Sequence, residues 1–421
     1  RLVGSSSLIS RAEVIEFNDT DINRVISQVP GVYTQEEDGY GLRPNIGMRG
    51  SGLERSAKIN MMEDGIPIAP APYSSPAAYY SPTAGRMESF EIRKGSSQIK
   101  YGPHSTGGAI NYISASIPEK LKFQGTVSTG SFGTSLGKFK TGVSSKNYGI
   151  MFQTYLDKTD GFKSIDGGDE TGFSKNDYLF KARLKTNREF AAAELKISQT
   201  NEVSNETYLG LIRSDFAKDP FRRYRASQKD QMSADHNQIS LTGALKIFRN
   251  TDITTALYQN GFHRNWYKLN KVGGQSISSI LSGDESDEGY QLLSAENSAD
   301  DVYDIKANNR DYKSQGLQSI LRSEFKINNI NNSLMFGLRI HHDEMDRFQW
   351  SDFYKMENSN LLITTAGTQG IGSKNNRLYT ANARSVFIEN EIKINNTIIT
   401  AGSRFESIDL ERSDWGSNID R

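Results

Sequence analysis

The chain has 421 residues, and its 50 basic and 50 acidic side chains cancel to a formal charge of zero, so net charge names no partner and gives no reason to expect nucleic acid. No run of eighteen or so apolar residues occurs and the mean hydropathy is -0.59, which excludes a bundle of membrane helices but permits a barrel, whose strands face lipid with alternate residues only. The absence of cysteine excludes a disulfide scaffold and any cysteine-ligated zinc or iron–sulfur site. The opening segment RLVGSSSLIS lacks the apolar core of a secretory signal, so either a signal has been removed or the natural start lies further upstream.

Residues 1–118 read as a small mixed α/β domain. One helix is predicted over Asp21–Gln28, where Ile22, Val25 and Ile26 make an apolar stripe that stops at Pro30-Gly31. Short β-like runs follow at Ala57–Met62 and Ser89–Arg93, bounded by the turns Asp64-Gly65 and Lys94-Gly95.

After Pro118 the pattern changes to two-residue alternation over 119–421. Ile239, Leu241, Leu245 and Ile247 alternate with Gln238, Ser240 and Lys246. Phe180 and Leu184 oppose Lys181, Arg183 and Lys185; Phe336, Leu338 and Ile340 oppose Arg339 and His341; Val386, Ile388 and Ile392 oppose Glu389, Glu391 and Lys393. About eleven strands are predicted, starting near 121, 134, 148, 177, 190, 236, 252, 313, 333, 379 and 397. Short turns at Asn147, Asn187–Glu189, Arg249-Asn250, Asn328–Asn332 and Asn395-Asn396 alternate with long loops near 160–176, 200–235, 270–311 and 351–378. That asymmetry suits a transmembrane antiparallel barrel, although alternation alone also describes a soluble sandwich or propeller. Eleven is an odd number, and an open barrel leaves edges in lipid, so the expectation is the N-terminal half of a larger barrel whose C-terminal half is absent.

Several motifs then carry a resemblance. Ile26–Tyr33 (ISQVPGVY) is followed by Asn45-Ile46-Gly47-Met48-Arg49-Gly50 and by Asp64-Gly65-Ile66-Pro67. Next come Ile92-Arg93-Lys94-Gly95-Ser96, then Tyr101-Gly102-Pro103 and Gly107–Ile113. In order and spacing they resemble the plug of TonB-dependent outer-membrane receptors. Ala71-Pro72-Tyr73 with Pro76, Glu206–Leu211 and Asp219–Tyr224 resemble the ferric-citrate group among them.

The resemblance implies a mainly β protein with an N-terminal α/β plug inside a barrel of 22 strands when complete. It implies a bacterial outer-membrane location among lipid and lipopolysaccharide, a monomer, and energy from the TonB-ExbB-ExbD complex, which acts through a coupling box upstream of the plug. The implied cargo is a ferric chelate, ferric citrate or another iron-siderophore, with no resident cofactor. Cobalamin, a sugar or a peptide as cargo, or a surface barrel that does not transport, remain alternatives. Arg49 and Arg93 would make plug-to-barrel ion pairs, with Glu389 and Glu391 among possible partners. The loops at 51–58 and 69–76 would be the plug apices facing the external vestibule, with Arg55, Lys58, Tyr73 and Ser74 as ligand contacts. Glu54 departs from the group, which carries arginine there, and this counts against citrate itself.

The residues show no enzyme motif: GxSxG, HExxH and a phosphate-binding loop are all missing. Neighbouring His341 and His342 would point to opposite faces of a strand and so cannot share one metal ion. Between Arg213 and Asp230 six basic residues outnumber three acidic ones. Arg222, Arg223, Tyr224 and Arg225 in that loop are candidate contacts to an anionic chelate, against lipopolysaccharide phosphate or plain solvation. Asp284–Asp304 carries eight acidic residues and no basic one, suited to divalent cations, to pairing with the basic loop, or to solvation alone.

Overall fold

A computed structural model describes residues 5–95, 99–186, 190–205, 207–368 and 373–418. Ser96, Glu206 and the Asn187–Glu189 turn lie outside the described residues. In the plug, β1 (Ser5–Ile9) precedes α1 (Arg11–Phe17) and α2 (Ile22–Ser27). The hairpin of β2 (Val32–Gln35) and β3 (Asn45–Met48) follows, then β4 (Ile59–Glu63), β5 (Ile66–Pro67), β6 (Met87–Lys94) and β7 (Gly108–Ser114). One sheet runs in the order β1-β6-β7-β4-β5, with β4 and β7 parallel.

Helix α2 forms as expected, because the Asp21 carboxylate accepts from the Asn23 amide at 2.8 Å and so satisfies an open donor of the first turn. Helix α1 was not anticipated. It begins at a reciprocal cap in which Ser10 and Glu13 each take the other's backbone N–H.

Beyond the link at 115–121 come β8 (Lys122–Thr129), β9 (Ser135–Ser144), β10 (Tyr148–Thr159), β11 (Ser164–Ile165), β12 (Phe173–Lys185) and β13 (Ala191–Ser204). They are followed by β14 (Arg222–Arg223), β15 (Gln231–Phe248), β16 (Thr251–Val272) and β17 (Gln275–Ser276). The last are β18 (Tyr303–Ile327), β19 (Ile330–Glu357), β20 (Asn360–Thr365), β21 (Asn375–Ile394) and β22 (Thr397–Gly416). Strands β8, β9, β10, β12, β13, β15, β16, β18, β19, β21 and β22 make one wall of antiparallel neighbours, while β17 and β20 extend the tips of β16 and β19. These are the eleven expected strands. Among the described residues β8 and β22 each have a neighbour on one side only, so the wall is a partial barrel.

Two boundaries differ from expectation. The Asn328-Asn329 turn is a two-residue hairpin with both φ positive, at 48° and 65°, so β19 resumes at Ile330 and the turn is tighter than the expected Asn328–Asn332 stretch. Strand β18 starts at Tyr303 instead of near 313, and β12, β15 and β21 also start earlier. Above the lipid both faces of these strands meet polar surroundings, so the alternation that marks a strand fades while the hydrogen-bonded ladder continues.

The faces of the wall are inverted relative to a soluble sheet. Ile239 and Leu241 are 48% and 47% exposed, whereas their neighbours Gln238 and Ser240 are 2% and 4% exposed. Phe180, Leu184, Phe336, Leu338, Ile340, Val386 and Ile388 are likewise exposed, and Lys181, Arg339, His341 and Ser385 are buried against the plug. A wall with apolar residues outside and polar residues inside has lipid on its outer face.

The plug is held to that wall by charge. Arg86 makes a two-pronged pair with Glu63 at 2.9 and 3.1 Å, and its Nε lies 2.9 Å from Asp177 on β12. Lys196 on β13 reaches Glu63 at 2.6 Å and Asp64 at 2.7 Å, and Lys181 stands 3.8 Å from Asp64. Arg43 pairs with Glu202 at 2.6 Å further along the same seam. The Arg86, Glu63 and Asp177 side chains are 0% exposed. Removing one partner of such a set strands the others without water. Arg86→Met should therefore lower the stability of the seated plug by about 3–5 kcal/mol. Protease access to the plug along a urea series would show it, and an unchanged midpoint would refute the assignment.

Candidate ligand vestibule

Above the seam, the plug and wall meet around Tyr79. The Arg264 guanidinium stacks 3.7 Å from its ring centre, with Arg55 at 5.2 Å and Arg310 at 5.6 Å. Burial alone would raise the Tyr79 phenol, but Arg264, Arg310 and Arg55 together hold it below its usual value. Arg55 sits in a left-handed turn at φ 47°, pairs through both terminal nitrogens with Glu37, and also faces Trp266. Lys268 lies 4.5 Å from the rings of both Tyr208 and Trp266.

The wall beside Tyr79 is layered by strand register. Arg264 of β16 lies opposite Arg310 of β18, Arg310 opposite Arg347 of β19, and Arg347 opposite Arg377 of β21. The inward rung nearer the membrane is Phe262, Tyr312, Met345 and Tyr379; the inward rung further out is Trp266, Asn308, Gln349 and Asn375. An apolar floor, a row of guanidinium groups and a row of mostly amides thus follow one another along the wall. No carboxylate among the described residues pairs with Arg264, Arg310 or Arg347, and the Nε of each is buried without a hydrogen-bond partner. Nothing in the spacing of these four arginines along the chain relates them to one another. Only register brings them into one row.

The structure places the expected site residues in different surroundings. Arg55 reaches the vestibule. Tyr73 and Ser74 instead anchor the plug to the wall: both backbone amides donate to Asp343, at 2.7 and 3.0 Å, and the Tyr73 hydroxyl donates to Glu406 at 2.9 Å. Lys58 is exposed, with its backbone carbonyl accepting from Gly107. Arg49 is also exposed and packs over Gly95 of the plug itself, so it meets no acid of the described wall. Arg93 is buried and lines a cavity of about 450 Å³ between plug and wall with Glu91, Lys100, Tyr101, Arg322 and Arg404. The seam pairs at Glu63, Asp64 and Arg86 were missed, although Asp64 stands in the same turn as Gly65.

The cationic loop is engaged with its neighbours. Arg222 holds Asp166 through two nitrogens at 2.9 Å and Asp215 at 3.1 Å. Arg223 donates to the Pro220 carbonyl and Arg225 to that of Ser294. Tyr224, expected at the ligand surface, is fully buried in a loop core with Leu209, Val272, Ile280, Leu293 and Tyr303, and its hydroxyl donates to Asp215. It supports the loop from within. Lys218 pairs with Glu285 at 3.1 Å, so the acidic loop meets the basic one. His341 and His342 lie on opposite faces, the first bonded to Asp343 and Tyr258, the second to Asn382.

An α/β plug behind a partial antiparallel wall, with lipid outside and a cationic vestibule above, is the architecture of a plugged outer-membrane barrel. The plug is that of the TonB-dependent receptors: residues 1–109 match the TonB-dependent Receptor Plug Domain family. The chain is 23% identical over 195 residues to the Vitamin B12 transporter BtuB of Vibrio vulnificus, covering 46% of this chain and 31% of that one. Among solved structures it resembles the unliganded ferric citrate transporter FecA, with a TM-score of 0.77, 18% identity, and coverage of 98% of this chain and 57% of that one. It also resembles the open form of the ferric-catecholate import receptor Fiu from E. coli K12, with a TM-score of 0.73, 16% identity, and coverage of 97% and 60%. The chain therefore spans about a third to three-fifths of the length of these relatives.

Arg222→Ala should open the Asp166 and Asp215 loops to protease, and Arg222→Lys should not restore protection, because a point charge cannot reproduce the forked contact; unchanged cleavage would remove Arg222 from that role. On the plug, Asp21 is raised from 3.8 to about 7 by burial and by Glu36 and Asp38, against the lowering effect of the Asn23 amide. The folded plug then binds a proton that the unfolded chain releases, so stability is fullest below pH 4 and falls as pH rises through 7. Asp21→Asn keeps the cap and removes the slope. At pH 8 it should protect the amides of α2 from hydrogen exchange more than wild type, by up to about 4 kcal/mol, and the two should converge at pH 4.

Proposed function

We propose that this chain forms the plug and part of the barrel of an energy-coupled importer of metal chelates of the ferric siderophore type. The observation that carries the reading is the plug itself, seated against the lumen face by charges that have no water. A wide barrel so filled passes solute only when the plug moves, and breaking buried ion pairs takes several kcal/mol each. The plug-domain match supports the TonB-ExbB-ExbD complex as the source of that work. Arg55 is the plug residue we assign to ligand contact. Tyr73 and Ser74 hold the apex in place, and Arg222, Arg223 and Arg225 shape the loops above it. Similar structures that include a ferric citrate transporter and a ferric-catecholate import receptor favour iron as cargo, while the Vitamin B12 relative favours cobalamin as a second reading.

The test is uptake by cells carrying the full-length receptor. Radiolabelled ferric chelate should accumulate inside, and accumulation should stop when the inner-membrane proton gradient is collapsed, while surface binding persists. Uptake that ignores the gradient, or binding without any uptake, would overturn the importer reading.

A further inference from the structure

Beside the seam, the cavity of about 450 Å³ between plug and wall gathers more positive than negative charge. It lies towards the short turns, the end that faces the periplasm in an outer-membrane barrel. Arg322 in its lining stands six positions before the Asn328-Asn329 turn, and Arg339 is about 26 Å along β19 from Arg347 of the vestibule. Asp64 in the lining is paired with Lys196 and Lys181, and Arg404 with Glu406. Arg93, Lys100, Arg322 and Arg339 remain, and none of them makes an ion pair among the described residues. Against them stand Glu91 in the lining and Glu389 beside it, which acts on the Lys100 ammonium. Four cations against two acids leave two positive charges.

Lys100 feels that excess. Burial lowers its ammonium below the usual value and Arg93 and Arg322 add to the lowering, which Glu389 and Glu91 do not reverse. Arg93 is 7% exposed and its Nε has no hydrogen-bond partner among the described residues. Water can accept from a free N–H, but it does not cancel a charge taken out of bulk solvent. The cations come from both bodies: Arg93 and Lys100 from the plug, Arg322 and Arg339 from β18 and β19. Arg339 and Arg404 also grip the plug backbone, donating to the Gly102 carbonyl at 2.6 Å and the Lys100 carbonyl at 3.2 Å, which fixes Lys100 at the edge of the space. Arg322 is exposed at the end nearer the turn and gives solutes of the periplasm a way in. The volume is that of a small-molecule pocket.

We propose that this cavity binds a small oxyanion of two negative charges, hydrogen phosphate or a short dicarboxylate, taken from the periplasm and held between plug and wall. The forked guanidinium groups of Arg93 and Arg322 and the Lys100 ammonium take its oxygens. The anion thus binds the seated plug and is lost when the plug moves, so it favours the closed state. The site is separate from the vestibule and does not depend on what the receptor imports.

The test uses the receptor in detergent with no chelate present. Phosphate, succinate and chloride are compared at equal ionic strength, by equilibrium dialysis for binding and by the half-time of protease cleavage within the plug. Phosphate or succinate should bind saturably, and at about ten times its dissociation constant should lengthen that half-time about tenfold. Which of the two does so names the source of the charge. R322Q, at the exposed rim, should weaken binding at least about tenfold and leave the half-time in chloride as in wild type. R93Q/K100Q should abolish binding; if that variant fails to seat its plug, R322Q alone decides. K146Q, a cation of the same end outside the cavity, should change nothing. No saturable binding, protection by chloride equal to that by the oxyanions, or binding that R322Q leaves unchanged overturns the proposal. Binding without protection overturns the bridge between plug and wall. Each of these failures leaves gradient-dependent uptake, and with it the importer reading, untouched.

Discussion

A charge taken out of water needs an opposite charge or a set of dipoles in its place, and the seam between plug and wall is built on that requirement. Arg86 lies between Glu63 of its own domain and Asp177 of the wall, while Lys196 of the wall lies between Glu63 and Asp64. The Asp177 carboxylate accepts further from the Thr83 and Thr200 hydroxyls, and that of Asp64 from Ser114. No member can leave without stranding another. The seam therefore fixes where the plug sits, and through the apex bonds to Asp343 it fixes which side chains look outward.

The same requirement explains the inverted wall. Gln238, Ser240 and His236 are buried because the plug, not solvent, covers their face, while Ile239 and Leu241 stay exposed because their solvent is hydrocarbon. His236 stacks on Tyr80 at 3.7 Å with the rings nearly parallel, so even a polar ring with no hydrogen-bond partner in the described structure finds a flat surface to cover. The plug core is continuous with the wall, since Ile9, Ile46 and Phe90 belong to one cluster with Phe262, Trp266 and Met345. Plug and barrel are one folded object joined by both apolar and ionic contacts.

Much of this was legible in the chain because alternation has a period of two and turns have a composition. The eleven strands could be found from residues such as Ile239 and Leu241 against Gln238 and Ser240, and the short turns from their asparagines. Helix α1 was equally legible in Ser10 and Glu13, three apart, but seven residues with no buried side chain leave little apolar stripe to notice. The vestibule was hidden for a different reason. Arg264, Arg310, Arg347 and Arg377 lie 30 to 46 positions apart along the chain, and only the hairpin lengths bring them level. Clustered charges such as Arg222, Arg223 and Arg225 attract attention in a sequence, yet neighbours on a loop answer to the loop, and here Arg222 is matched by Asp166 and Asp215.

Seam and row use the same chemistry with opposite bookkeeping. Both place guanidinium groups on the inner face of one wall, away from bulk water. In the seam each cation has its acid within the protein, and the result is a plug that stays. In the row three of four arginines have none among the described residues and rest on neutral partners, the Asn308 carbonyl, the Tyr312 hydroxyl and the Gln349 amide oxygen. Tyr79 lies against the row while belonging to the plug, so the stacked Arg264 ties the apex to the wall. Paired and unpaired cations of the wall thus both hold the plug, the first through ion pairs and the second through the face of one aromatic ring.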